Sequence, residues 1–553
     1  LRNFCKGEFT ELVKCFENLC NNMFFFPFIL RALASLREIS ISEFRNSGLI
    51  ELLHKNSYLS DVRVPKRHRK NSVEKFVVLQ HLWPAQATNK SIGIALVLSL
   101  AGLLLTTFVL ERQMSFLCAP LHALIIATLV WICFQRPFWG LVLVVSSAPL
   151  VKLLPSVPPA TSLVSVLGGA TFLGYLFHEL LLRRAKPVVL WTHVVGVCLL
   201  LWITLSNPSA ALMASERSWT FTYIQLVVLM FLTTQLCRTS EHLAILFGAF
   251  VTTAVTSGIY AILATGFFDN ALEIGRGFGF DVGPNLAATH YIIGMIFAFY
   301  FLLSEKRAGT QVLAVAALAI LTIAFATTGS RGGLLSLALA FVCSVWIFAK
   351  FRSRFVPRKS FIVAMAGLVA AFGLIGASSN TIEKTKNLFG RENNPVGFRL
   401  EQWNAGLEMA AVSPIRGLGI GQYQMHIPFV NTDTYPQIGM GFGAHNSFVS
   451  DLAETGVVGL AMSLALWGVA IQGLIRLLRH NEPVFSSKGV VLLLVLIVFL
   501  GASLVGNRGT IKLLWVLFAL CDSQPVHMAL TSFVSFFRPV PSSDAASRIA
   551  QPA

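Results

Sequence analysis

The stretch 311-QVLAVAALAILTIAFATTGSRGGLLSLALAFVCSVWIFA-349 decides how the rest of the chain is read. Residues 311–328 carry no charge, and neither do residues 332–349. Each block, wound as a helix at about 1.5 Å per residue, approaches the roughly 30 Å of a bilayer's hydrocarbon core. Backbone polar groups find no water there, so a helix that satisfies them internally is the expected form. A β-barrel needs short segments that alternate in polarity, and these blocks are continuously apolar. Three residues, Gly329, Ser330 and Arg331, separate the two blocks. The same stretch therefore predicts two membrane helices and an arginine held between them.

The pattern repeats outward in both directions. Candidate spans fall at 91–110, 116–135, 138–154, 160–178, 188–205, 220–237, 243–263, 287–303, 311–328, 332–349, 361–377, 447–475, 489–506 and 510–526. The pairs meeting near 135 and 507 are tight, and each is open to reading as a re-entrant hairpin. The expected fold is an all-α polytopic membrane protein with about 12–14 transmembrane helices. Composition agrees: of 553 residues, 55% are hydrophobic and 12% charged, against about a quarter charged in ordinary soluble domains.

The formal net charge of +17 does not point to nucleic acid in such a chain. Basic residues on cytoplasmic loops, facing anionic membrane lipid, account for it. With the N-terminus inside, the short inner loops from Arg136 to Lys488 hold fifteen Lys and Arg. The short outer loops hold five: Arg112, Arg217, Arg276, Arg331 and Arg508. Residues 1–90 form a separate N-terminal region, cytoplasmic or interfacial, with a basic cluster from Arg63 to Lys70 and no clear cleavable signal. Residues 91–526 are the membrane domain, and 527–553 a C-terminal tail. The chain starts on Leu, as a fragment or an over-extended start would. The nine cysteines are scattered without a CxxC pair and read as small hydrophobes.

Residues 378–446 form the one long hydrophilic stretch after residue 90, and the charge argument puts it outside. Within it Leu400, Trp403, Leu407 and Ala411 recur at helical spacing, which predicts a short amphipathic helix at the interface. Ser413-Pro414 and the glycine run 417–421 end it.

Four outward features carry chemistry: Arg276 in 275-GRGFGFDVGPN-285, Arg331 in 327-TTGSRGG-333, Arg399 in 398-FRLEQWNAGLEMAAVSPIRGLGIGQY-423, and His445 in 444-AHNSFVSDLAETGVVGL-460. An arginine between spans, with almost no loop around it, costs roughly 2.5–3.5 kcal/mol at membrane depth on insertion scales. Its planar fork matches phosphate or carboxylate oxygens. Arg331 accordingly serves as an anion ligand, or else snorkels or pairs with Asp451 or Glu454. A histidine has the pKa to take a proton from an attacking hydroxyl. His445 is thus a candidate base, or a helix-start residue bonded to backbone; His290 and His426 are rivals on the same side. Glu454 either orients an arginine or caps polar packing. The glycine run follows no strand and reads as a turn, not a nucleotide loop. No DxD pair and no HExxH occurs, so neither a metal nor another cofactor is indicated.

Taken in order, "GFDVGPN", "TTGSRGG", the Arg399–Trp403 segment ending in "SPIRGLGIGQY", and "HNSFVSDLAETGVVGL" resemble the O-antigen ligase and O-antigen polymerase superfamily of bacterial membrane glycosyltransferases. The resemblance covers roughly residues 270–470. It implies a glycan donor on undecaprenyl diphosphate, transferred at the outer face of the inner membrane without a nucleotide cofactor. Arg276 and Arg331 would bind the diphosphate, His445 would activate the acceptor hydroxyl, and Arg399 and Glu454 would support them. Ligase members use a lipid A core acceptor, polymerase members a growing polysaccharide. The N-terminal 90 residues do not match. A transporter is the reading from another class, since a many-span fold alone fits one. Polar residues gathered at one face rather than at the midplane argue against it.

Overall fold

The computed structural model describes residues 115–536, apart from 154–155, 158–160, 207–213, 268–276, 282, 306, 352–394, 428–442, 480–482, 507–508 and 510. The expected spans at 91–110 and 361–377, the N-terminal region 1–90 and Arg276 lie outside the described residues. So does 537–553 of the C-terminal tail.

The described chain is almost wholly helical. Its helices are α1 (Ser115–Gln135), α2 (Pro137–Ser146), α3 (Leu163–Tyr175), α4 (Trp191–Ser206), α5 (Ala214–Leu236), α6 (Ser240–Phe267) and α7 (Pro284–Ser304). There follow α8 (Ala308–Thr328), α9 (Arg331–Phe351), α10 (Pro395–Val412), α11 (Tyr423–His426), α12 (Ser447–Arg479), α13 (Pro483–Leu504) and α14 (Lys512–Phe536). Among the described residues the only ladder is a two-residue antiparallel pair before α3, with Ser156 opposite Ser162 and Val157 opposite Thr161.

Among the described residues, six helical stretches are long and apolar enough to cross a bilayer: Leu163–Leu182, Trp219–Leu236, Ser240–Ala264, Pro284–Ser304, Ala308–Thr328 and Ser447–Arg479. Shorter apolar helices, among them Pro137–Ser146 and Trp191–Ser206, pack beside them. The chain is a polytopic membrane protein. At the tight pair near 135, Arg136 alone separates α1 from α2, and α2 gives way to a 3-10 turn at Ala148–Leu153.

Of these six stretches, α7 is the most enclosed. Tyr291, Ile292 and Ile293 are fully buried, and α7 packs along α6, α8 and α13. Pro284 opens it, where a missing N–H costs nothing. Helix α9 lies on α13, and α12 on α4, α13 and α14.

Helix α12 differs from the single span expected there. Gly456 has φ +69, so Ser447–Thr455 and Val457–Arg479 are two helices joined at a bend. A Cβ at Gly456 would meet the Ile415 carbonyl oxygen at 2.2 Å, because the chain after α10 crosses at this point. The second part, at about 1.5 Å per residue, still crosses a core of about 30 Å and ends on Arg476 and Arg479.

Candidate functional site

The site is built where α8 turns into α9. Gly329 ends α8 in the left-handed conformation, φ +54, which glycine adopts without a Cβ penalty. Ser330 then starts α9. Its hydroxyl accepts the Gly333 N–H at 3.0 Å, the bond of an N-cap. The same hydroxyl donates to Asn285 Oδ1 at 2.8 Å, at the start of α7. One residue beyond Arg276, the Gly277 N–H donates to the Thr327 carbonyl at 3.0 Å. The segments "GFDVGPN" and "TTGSRGG" are therefore bonded into one unit, and Arg331 stands exposed at its edge as the first residue of α9. A helix N-terminus carries partial positive charge and unbonded N–H groups. A cation there is unfavourable alone and favourable with an anion between.

Helix α10 supplies the second guanidinium. Arg399 is half-buried. Burial first, and the neighbouring Arg331 charge second, hold its pKa below the ordinary arginine value. The fold thus holds two like charges within Coulombic reach of each other, although they are 68 residues apart.

The predicted helix exists, but its inward face is not the one its apolar residues mark. Gln402, Ala405, Gly406, Met409 and Ala410 are buried, while Leu400 and Leu407 are 49% and 51% exposed. Small residues explain the choice. A Cβ at Gly406 would meet Val449 Cγ1 at 2.5 Å, so only glycine lets α10 lie this close to α12. The leucine stripe is left facing outward, as suits a helix at a lipid interface.

His445 lies where α12 begins, half-buried and with φ +49, a conformation few non-glycine residues adopt. It is fixed from both sides. Ala444 packs with Ala405 and Met409 of α10. Asn446 Oδ1 accepts the N–H groups of Phe448 and Val449 at 3.0 and 3.3 Å, capping α12. Ser447 Oγ donates to the Gly506 carbonyl at 3.0 Å.

The glycine run is a turn, and Glu454 holds it. The Glu454 carboxylate accepts the Tyr423 N–H at 3.2 Å and the Gly421 N–H, while its carbonyl accepts the Gly419 N–H at 2.9 Å. Gly417 has φ +72, and a Cβ there would lie 2.4 Å from the Glu454 carbonyl oxygen. Of the two readings of Glu454, capping polar packing matches these bonds. Asp451 hydrogen-bonds Ser463 across the bend.

Of the rival bases, His290 is 2% exposed and shares a 2.6 Å hydrogen bond through Nδ1 with Asp281, itself 1% exposed. His426 bonds its own helix through Nδ1 to the Gln422 carbonyl at 3.0 Å. Sequence reasoning missed the Asn285–Ser330 bond and the inward turn of Gln402. No local signal marks a tie between residues 45 apart. The glutamine, between Arg399 and Gly406 at helical spacing, was legible in principle.

One comparison with known proteins takes in Arg331, Arg399 and His445. Residues 316–464, from the middle of α8 to the bend region of α12, match the O-antigen ligase family model. The chain is also 27% identical over 212 residues to "Exopolysaccharide production protein ExoQ" of Rhizobium meliloti (strain 1021). That alignment covers 37% of this chain and 48% of the relative, so the match spans about half the relative's length. The resemblance to the O-antigen ligase and polymerase superfamily is borne out.

Proposed function

We propose that the chain is a glycosyltransferase of the O-antigen ligase type, moving a glycan from undecaprenyl diphosphate to an acceptor hydroxyl at the outer face of the bacterial inner membrane. The single observation that carries this reading is the Arg331 guanidinium at the start of α9, with the Arg399 guanidinium of α10 near enough for the two charges to act on each other. Two guanidinium groups and a helix N-terminus form a positive locus that a lipid diphosphate complements. The superfamily, one of glycosyltransferase-like enzymes in polysaccharide biosynthesis, supports the same chemistry.

In this reading Arg331 and Arg399, with Arg276, bind the diphosphate oxygens. His445 takes the proton of the acceptor hydroxyl as its oxygen bonds the anomeric carbon. The carbon–oxygen bond to phosphate breaks, and the electron pair leaves on the diphosphate. The arginines stabilise that charge as it develops. One displacement inverts the anomeric centre. The diphosphate linkage stores the energy, so no nucleotide or other cofactor is required. In the same reading the N-terminus lies in the cytoplasm, which the excess of basic residues on the inner loops supports.

A second reading within the superfamily is a polysaccharide polymerase, favoured by the similarity to an exopolysaccharide production protein. Deleting the gene and examining surface glycans tests both. Loss of long chains from the lipid A core, with lipid-linked glycan accumulating, identifies a ligase. Chains of one repeat on the core identify a polymerase. Unchanged surface glycan refutes both.

A further inference from the structure

Helix α10 carries more than a charge. Arg399, Gln402 and Trp403 stand at i, i+3 and i+4, so they share one helical face. Gln402 is fully buried, and neither its amide oxygen nor its amide nitrogen has a hydrogen-bond partner among the described residues. The indole Nε1 of half-buried Trp403 is likewise buried and without a partner. Three orphaned polar atoms thus lie on adjacent residues, although buried polar groups in folded proteins are nearly always bonded. Packing does not require them. The backbone carbonyl of Gln402 already accepts the Tyr423 hydroxyl, and the contacts with α12 are made by Ala405, Gly406 and Met409.

The chemistry of these atoms is specific. The amide offers one acceptor and two donors, and the indole one further donor. A sugar hydroxyl both donates and accepts, and the C–H face of a sugar ring packs on an indole. Three to four helical residues correspond to about 4.5–6 Å along the axis, close enough for side chains on this face to meet a phosphate and the sugar attached to it together. Bonding to a ligand relieves the unsatisfied groups.

We infer that Gln402 and Trp403 form a saccharide subsite that recognises the sugar attached directly to the donor's diphosphate, one helical turn from Arg399. This rests on the reading of the chain as a transferase with a lipid diphosphate donor. It adds which residues discriminate the glycan.

Binding to the intact protein in nanodiscs tests it with two probes. One is lipid-linked glycan extracted from cells lacking the gene, the other sugar-free undecaprenyl diphosphate. Gln402→Met keeps the side-chain length and removes the amide. It should weaken binding of the glycan-bearing lipid about tenfold, leave the sugar-free lipid unchanged, and leave thermal stability equal or higher. Trp403→Phe keeps a ring and deletes the N–H, and should weaken the glycan-bearing lipid alone; it serves if Gln402→Met fails to fold. Wild-type binding of both lipids by the variants overturns the subsite, as does equal weakening for both. A wild-type protein that binds neither probe overturns the transferase reading itself, a different failure.

Discussion

Ser330 and Asn285 are joined by a 2.8 Å hydrogen bond that ties the start of α9 to the start of α7. The same hydroxyl caps α9 through Gly333, so one oxygen sets both the direction of the helix and the place of Arg331 beside it. Replacing Ser330 with Ala removes a cap and a tertiary bond, and should destabilise the protein by about 1–3 kcal/mol. Asn285→Ala should lose a similar amount. In a double-mutant cycle the two losses should not add, because they remove one shared interaction. Thermal unfolding in detergent measures this, and full additivity would show that the bond carries no energy.

His445 sits in a backbone conformation that disfavours a side chain. Glycine tolerates it, so His445→Gly should leave stability unchanged or raise it by about 1 kcal/mol. Transfer should fall about 10²–10⁴-fold, the usual contribution of a general base. A variant both stable and inactive separates a chemical role from a structural one. Retained transfer would return the base to another residue.

His290 should behave in the opposite way. Removing it leaves the Asp281 carboxylate buried and without this partner, which costs about 3–5 kcal/mol for a broken buried pair. His290→Ala should therefore lower the unfolding temperature and the yield of folded protein. If it folds normally and loses only transfer, His290 rather than His445 is the base.

Gly456 and Gly417 are expected to resist any side chain. At Gly456 the backbone is left-handed and a methyl would meet the Ile415 carbonyl oxygen at 2.2 Å. Gly456→Ala should cost at least about 1–3 kcal/mol, with the helix Ser447–Thr455 and its cap displaced. Limited proteolysis of the 413–423 turn reads this out.

Much of the architecture was legible because lipid imposes a length on every apolar block. Residues 311–328 and 287–303 announce themselves without any tertiary information. The bend at Gly456 did not, because the glycine's conformation is forced by a stretch of chain about forty residues earlier. The face of α10 was misleading for a related reason. In water Leu400 and Leu407 would point inward, whereas at a lipid surface an outward apolar stripe is stable and small residues decide the packing. For the site, Arg331 and His445 were visible as polar residues at the ends of apolar blocks. Nothing in the sequence places Arg399 near Arg331, since that proximity depends on how α10 packs against α12.

The central claim is that two guanidinium groups grip a lipid diphosphate, and purified protein with lipid-linked glycan and an acceptor tests it most directly. Arg331→Ala, and separately Arg331→Lys, should reduce transfer by about 10²–10³-fold while the protein remains folded. Lysine keeps the charge but not the two-pronged contact, so it should not rescue. Transfer by Arg331→Ala at the wild-type rate would contradict the account.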